Sequence, residues 1–148
     1  MTFDIPGLGL IELDTLLLDL NGTIAIDGVI VGGVEDRISR LSKSFSILLL
    51  SGDTNGNAAL IAKELGIKLK VVKNAEEKQK LCTRKTVAIG NGSIDKDMLS
   101  CATLGIAVIE KEGASAVALR NADIITTSIN DALDILILPK RMIATLRS

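Results

Sequence analysis

Histidine, tryptophan and tyrosine are absent from this chain, and each absence removes a class of chemistry. Without histidine there is no imidazole acid or base, no phosphohistidine and no imidazole metal ligand. Without tryptophan or tyrosine, stacking on nucleic-acid bases loses its usual side chains. Only Pro6 and Pro139 occur as prolines, and neither interrupts the run of elements. Cys82 and Cys101 make no disulfide framework and show no metal-ligand spacing, so both read as buried thiols. The charges nearly cancel, with 17 basic and 18 acidic residues and a net charge of −1. No basic excess points to nucleic acid or to an anionic membrane, and neither is expected as a partner. No apolar run is long enough to cross a bilayer, and no charged-then-apolar leader opens the chain. The expectation is a cytoplasmic protein.

What is present is a dense apolar pattern. The hydrophobic fraction is 47% over 148 residues, enough for one domain, 1–148, with a real core. Short apolar runs alternate with amphipathic stretches. Leu13–Leu20, Phe45–Leu50, Ile67–Val72, Val87–Ile89, Gly105–Ile109 and Asp123–Thr126 read as strands. Val34, Ile38 and Leu41 share one helical face. Ala58–Leu65, Ala75–Cys82, Ile94–Ala102, Ser115–Asn121 and Ile129–Leu138 read as helices. Thr23–Ile26 and Val29–Val31 flank Asp27-Gly28, a pair suited to a tight hairpin turn. Strands alternating with helices predict an α/β fold, a mostly parallel sheet covered on both faces.

The polar residues gather where strands end. Leu16-Leu17-Leu18-Asp19 runs out of a buried strand into Leu20-Asn21-Gly22-Thr23. Ser51, Gly52 and Asp53 follow the second strand, and Asn91 and Asp95 follow a later one. Lys78 lies on a short helix between them, with Lys80 as a rival. In open α/β sheets ligands bind outside the carboxyl ends of the strands. A carboxylate, a hydroxyl, a lysine and a second carboxylate in one crevice suit phosphoryl transfer. The carboxylate attacks phosphorus, the hydroxyl and exposed N–H groups hold phosphate oxygens, and the lysine offsets their charge. Carboxylates also hold Mg²⁺. Asp53 and Asp95 read equally as helix N-caps, though for Asp95 the metal role is preferred.

Asp19-Leu20-Asn21-Gly22-Thr23, Leu50-Ser51-Gly52-Asp53, Lys78 and Gly90-Asn91-Gly92-Ser93-Ile94-Asp95 resemble the four motifs of the haloacid dehalogenase superfamily. The stretch Leu50–Ile67, and Val87–Asp95 followed by Leu104–Val108, is closer to the phosphorylation domain of P-type ATPases. The chain looks most like the stand-alone soluble P-type ATPase-like proteins. The resemblance implies a Rossmannoid three-layer sandwich with Asp19 on a central strand. It implies that Asp19 is the nucleophile and a Mg²⁺ ligand. Ser51, Gly52 and Lys78 would bind the phosphoryl group. Asn91, Asp95 and the Asn21 carbonyl would complete the metal site.

Three departures qualify that likeness. Leu20 to Leu50 leaves room for a hairpin and one helix, with no nucleotide-binding insertion and no large cap. Asn21 stands where family phosphatases carry a second Asp, and an amide cannot exchange the proton that Asp would move. Asn91 replaces an Asp at the metal, so Mg²⁺ binding is expected to be weaker than in an ordinary member. The expected function is a Mg²⁺-dependent phosphohydrolase or phosphotransferase working through an aspartyl phosphate. The alternative is a catalytically impaired module that binds a phosphorylated small molecule or protein. The apolar fraction also suits a homo-oligomer.

Overall fold

The structure, a computed structural model, describes residues 1–53 and 56–148. Thr54 and Asn55, within the ATPase-like stretch Leu50–Ile67, lie outside them. The chain opens with a hairpin that the sequence pattern does not announce, β1 (Thr2–Ile5) and β2 (Gly9–Glu12). Phe3 and Ile5 are its buried contribution to the core. Four-residue strands carry too few alternations to stand out.

Six strands form the main sheet: β3 (Thr15–Asp19), β6 (Ser46–Ser51), β7 (Lys68–Val71), β8 (Thr86–Gly90), β9 (Leu104–Val108) and β10 (Ile124–Thr126). Their order is β10-β9-β8-β3-β6-β7, and every neighbouring pair is parallel. β3 therefore lies between β6 and β8, and β3 and β8 are buried almost throughout. That burial is why both read as continuous apolar runs rather than alternating ones. β7 is an edge strand, and its exposed Lys68 and Lys70 discourage pairing with another sheet.

Helices cover both faces. Leu16 and Leu18 of β3 point into one core with α1 (Val34–Leu41), α2 (Ala58–Leu65), α6 (Ile129–Ile137) and α7 (Pro139–Leu146). Leu17 points the other way, into a core with residues of α4 (Lys96–Cys101) and α5 (Ala116–Arg120). α3 (Ala75–Gln79) packs beside α4 on that second face. This is the expected three-layer α/β sandwich. α7 is a helix the sequence pattern does not announce; Pro139 starts it at the first helical position, where a missing N–H costs nothing.

Between β3 and β6 the chain holds only the hairpin β4 (Ala25–Ile26) and β5 (Val29–Ile30), followed by α1. Asp27 and Gly28 both have positive φ (51° and 81°), as a primed two-residue turn requires. One expectation needs correction. Cys82 and Cys101 are not separate buried thiols. They form a disulfide, with Cα atoms 6.4 Å apart, and Cys101 is exposed. Spacing in sequence carries no sign of this, because the packing of α3 beside α4 brings the two together.

Candidate active site

The central position of β3 puts Asp19 at the carboxyl end of the sheet, with the ends of β6 and β8 on either side. An open cleft of about 530 Å³ lies there, lined by Asp19, Asn21, Gly52, Lys78, Asn91 and Asp95 among others. The strand-end residues singled out from the sequence thus converge on one place. Ser51 is buried beside Gly52 and is not part of the lining. Its Oγ accepts the Asp53 N–H at 2.8 Å, so its own hydrogen is left to donate.

Lys78 is the centre of the site. It is 2% exposed, and its Nζ donates to Asp19 Oδ1 at 2.9 Å and to Asp95 Oδ1 at 2.5 Å. Its rival Lys80 faces solvent and pairs with Glu76 across one helical turn. Asn74 sets the start of α3 by accepting the Glu77 N–H, and this places Lys78 one turn later on the inward side. The remaining oxygen of Asp19 accepts from the Thr23 hydroxyl at 3.0 Å.

Asp95 is fully buried and takes three donors. Besides Lys78, the backbone N–H groups of Asn91 and Gly92 reach its Oδ2 at 3.0 and 2.9 Å. These bonds tighten the chain into the 3₁₀ turn Ser93–Asp95, so the helix expected from Ile94 starts only at Lys96. Gly90 makes the close approach feasible: a Cβ there would fall 2.6 Å from the Asp95 carboxyl. Asp53 takes the structural role, its Oδ1 accepting the N–H of Ala58 at the start of α2.

Asn91 ties loops together. Its amide donates to the Gly113 carbonyl at 3.1 Å, and its Oδ1 lies 3.3 Å from the Thr23 hydroxyl. Gly22, at φ 79°, lets the Asn91 side chain lie against the loop after the nucleophile. An Asp at position 91 would turn an acceptor toward the Gly113 carbonyl. The amide therefore has a structural reason to be there that sequence alone does not show.

Burial and the nearby Asp95 charge push the Asp19 carboxyl up to about 7, and the Lys78 and Thr23 contacts recover only part of that shift. Burial pushes the Lys78 ammonium down, but Asp19 and Asp95 together outweigh it and hold Lys78 above its ordinary value. Lys78 is thus a fixed cation between two carboxylates.

The donor chemistry can be tested against a cation. Asp19 and Asp95 supply carboxylate oxygen, Asn91 an amide oxygen and Asn21 a backbone carbonyl. Among the described residues no cluster of three or more His, Cys, Asp or Glu is placed to hold a metal. An all-oxygen set with two carboxylates fits Mg²⁺, which keeps several waters and takes few protein ligands. It does not fit a soft metal.

Three residues of the cleft escaped the sequence reading: Val72, Lys73 and Ile94. Val72 and Lys73 directly follow β7, so the strand-end rule that singles out Asp19 could have found them.

Residues 33–133 match the family of haloacid dehalogenase-like hydrolases. The chain belongs to that family. A curated relative, an uncharacterized protein of Methanocaldococcus jannaschii, is 44% identical over 80 residues, covering 54% of this chain and 84% of the relative. Among solved structures, the cobalt-bound deoxy-D-mannose-octulosonate 8-phosphate phosphatase of Haemophilus influenzae superposes with a TM-score of 0.71 at 16% identity, over 88% of this chain and 90% of that one. The 3-deoxy-D-manno-octulosonate 8-phosphate phosphatase of Moraxella catarrhalis, in complex with a magnesium ion, a phosphate ion and KDO, gives 0.67 at 20% identity, over 91% and 94%. At these identities the likeness is one of fold.

Proposed function

We propose that this chain is a Mg²⁺-dependent phosphohydrolase or phosphotransferase that works through an aspartyl phosphate on Asp19. The observation that carries the reading is Lys78 held between Asp19 and Asp95 at the floor of an open cleft. The trio is buried, yet all three residues line the cleft, and Asp19 keeps the most exposure of the three. Family membership supports hydrolase chemistry, and the two solved neighbours named above are phosphatases. The motif likeness to the P-type ATPase phosphorylation domain supports a phosphorylated carboxylate as the intermediate.

In the first step an ionised Asp19 oxygen attacks phosphorus and the bond from phosphorus to the ester oxygen breaks. The leaving alkoxide takes its proton from water, because Asn21 can donate a hydrogen bond but not a proton. In the second step water attacks the acyl phosphate, phosphate departs and the Asp19 carboxylate returns. Lys78 offsets phosphoryl charge, and Ser51 and Gly52 at the end of β6 would hold the phosphoryl oxygens. Asp19, Asp95, Asn91 and the Asn21 carbonyl would hold Mg²⁺, which supplies charge neutralisation to phosphoryl oxygens.

Asn21 supports a second reading, a module that binds a phosphorylated small molecule or protein without turning it over. Asn21→Asp separates the two. In an enzyme lacking its acid/base, the substitution raises kcat for alkyl phosphates by about 10². Steady-state kinetics with Asp19→Ala as control is the measurement. Turnover that stays at the Asp19→Ala level would leave only the binding module.

A further inference from the structure

The cleft lining also includes Val72, Lys73 and Ile94, which this chemistry does not use. The Lys73 N–H donates to the Glu77 carboxylate at 2.6 Å, and the Asn74 side chain accepts the Glu77 N–H at 2.9 Å. These bonds fix the backbone where β7 turns into α3, yet they leave the Lys73 side chain exposed at the mouth. Among the described residues, no carboxylate forms an ion pair with its ammonium. Lys78, by contrast, is committed to Asp19 and Asp95. Lys73 is therefore the cation of the cleft lining that the phosphoryl site leaves unspent.

Its neighbours narrow what it can read. Val72 and Ile94 are apolar and aliphatic. Phe3 and Phe45, the chain's two phenylalanines, are both buried in the core on the α1–α2 side and do not reach the cleft. No aromatic surface is there for a nucleobase to stack on. A lysine is a flexible point charge suited to a carboxylate or phosphate at the end of a short chain.

We propose that Lys73 is a specificity-determining residue that reads a second anionic group on the leaving part of the substrate. The substrate class is then small aliphatic phosphomonoesters carrying a further carboxylate or phosphate, not nucleotides or neutral alkyl esters. This rests on the phosphoryl-transfer reading above. Lys73 is exposed and the Glu77 carboxylate lies against its backbone N–H, so the contact is worth about what a surface pair is.

Phosphonates test this without turnover, since their carbon–phosphorus bond is not broken by acyl-phosphate chemistry. Calorimetry in Mg²⁺ buffer compares 3-phosphonopropionate with propylphosphonate, which has the same chain without the carboxylate. Wild type should bind the first about twofold to fivefold more tightly. Lys73→Met should abolish that preference and leave propylphosphonate unchanged, while Lys73→Arg keeps it. Wild type without a preference, or a preference that survives in Lys73→Met, overturns the assignment. So does equal weakening of both compounds, which would assign Lys73 to the phosphoryl group. If neither phosphonate binds, or binding ignores Asp19→Ala and Lys78→Met, the phosphoryl site itself is refuted and the inference falls with it.

Discussion

A single lysine holds the site together, and the chemistry of its two partners sets how the protein responds to pH. Replacing Lys78 with Met leaves two carboxylates buried side by side. That should cost about 3–5 kcal/mol, the range for stripping one partner from a buried ion pair, measured by urea unfolding. Asp19 titrates the other way from an ordinary paired carboxylate. Its folded value, raised to about 7, lies above the unfolded value of 3.8, so the native state holds the proton more tightly. The resulting contribution is present below the unfolded value and is lost as pH rises through about 7. In chelator, wild type should lose stability relative to Asp19→Asn between pH about 4 and 7. A parallel pH profile for the two would remove the raised value. Asn91→Asp should tighten Mg²⁺ by adding an anionic ligand. It should also cost about 1 kcal/mol through the lost bond to the Gly113 carbonyl, read by calorimetry and thermal melts together.

The elements explain which residues could be found from sequence. Asp19, Asn21, Gly52, Asn91 and Asp95 were legible because each follows an apolar strand, and parallel topology brings such ends together. Lys78 was harder: two lysines sat within one turn, and only the Asn74 cap decides which faces inward. The 3₁₀ turn at Ser93–Asp95 was invisible, since it is made by the Asp95 side chain gripping N–H groups before it. The Cys82–Cys101 pair was invisible for a similar reason, being set by how α3 packs on α4. Two tests belong here. Gly90→Ala should force Asp95 from its place and weaken Mg²⁺ at least severalfold while the β3–β8 pairing survives; calorimetry with circular dichroism checks both. Reducing the disulfide opens a crosslink spanning 19 residues. The chain-entropy relation gives a loss of about 3 kcal/mol for such a loop, visible as a lower Tm in reductant.

At the scale of the whole molecule, a continuous sheet does one thing for function: it carries a charged trio to the rim of two apolar layers. The sandwich was readable because alternation of strands and helices admits few other folds. The terminal elements, β1–β2 and α7, were not readable, being short. Nothing large covers the cleft among the described residues; the β4–β5 hairpin and α1 are all that separate β3 from β6. The central claim is that this open site accepts a phosphoryl group on Asp19. Beryllofluoride with Mg²⁺ mimics that adduct and needs a nucleophilic carboxylate and a phosphate pocket, but no general acid. Fluorine NMR of wild type should show a bound beryllofluoride signal that vanishes in Asp19→Asn and in Lys78→Met. A bound signal that persists in Asp19→Asn, or none in wild type at saturating Mg²⁺, would contradict the account.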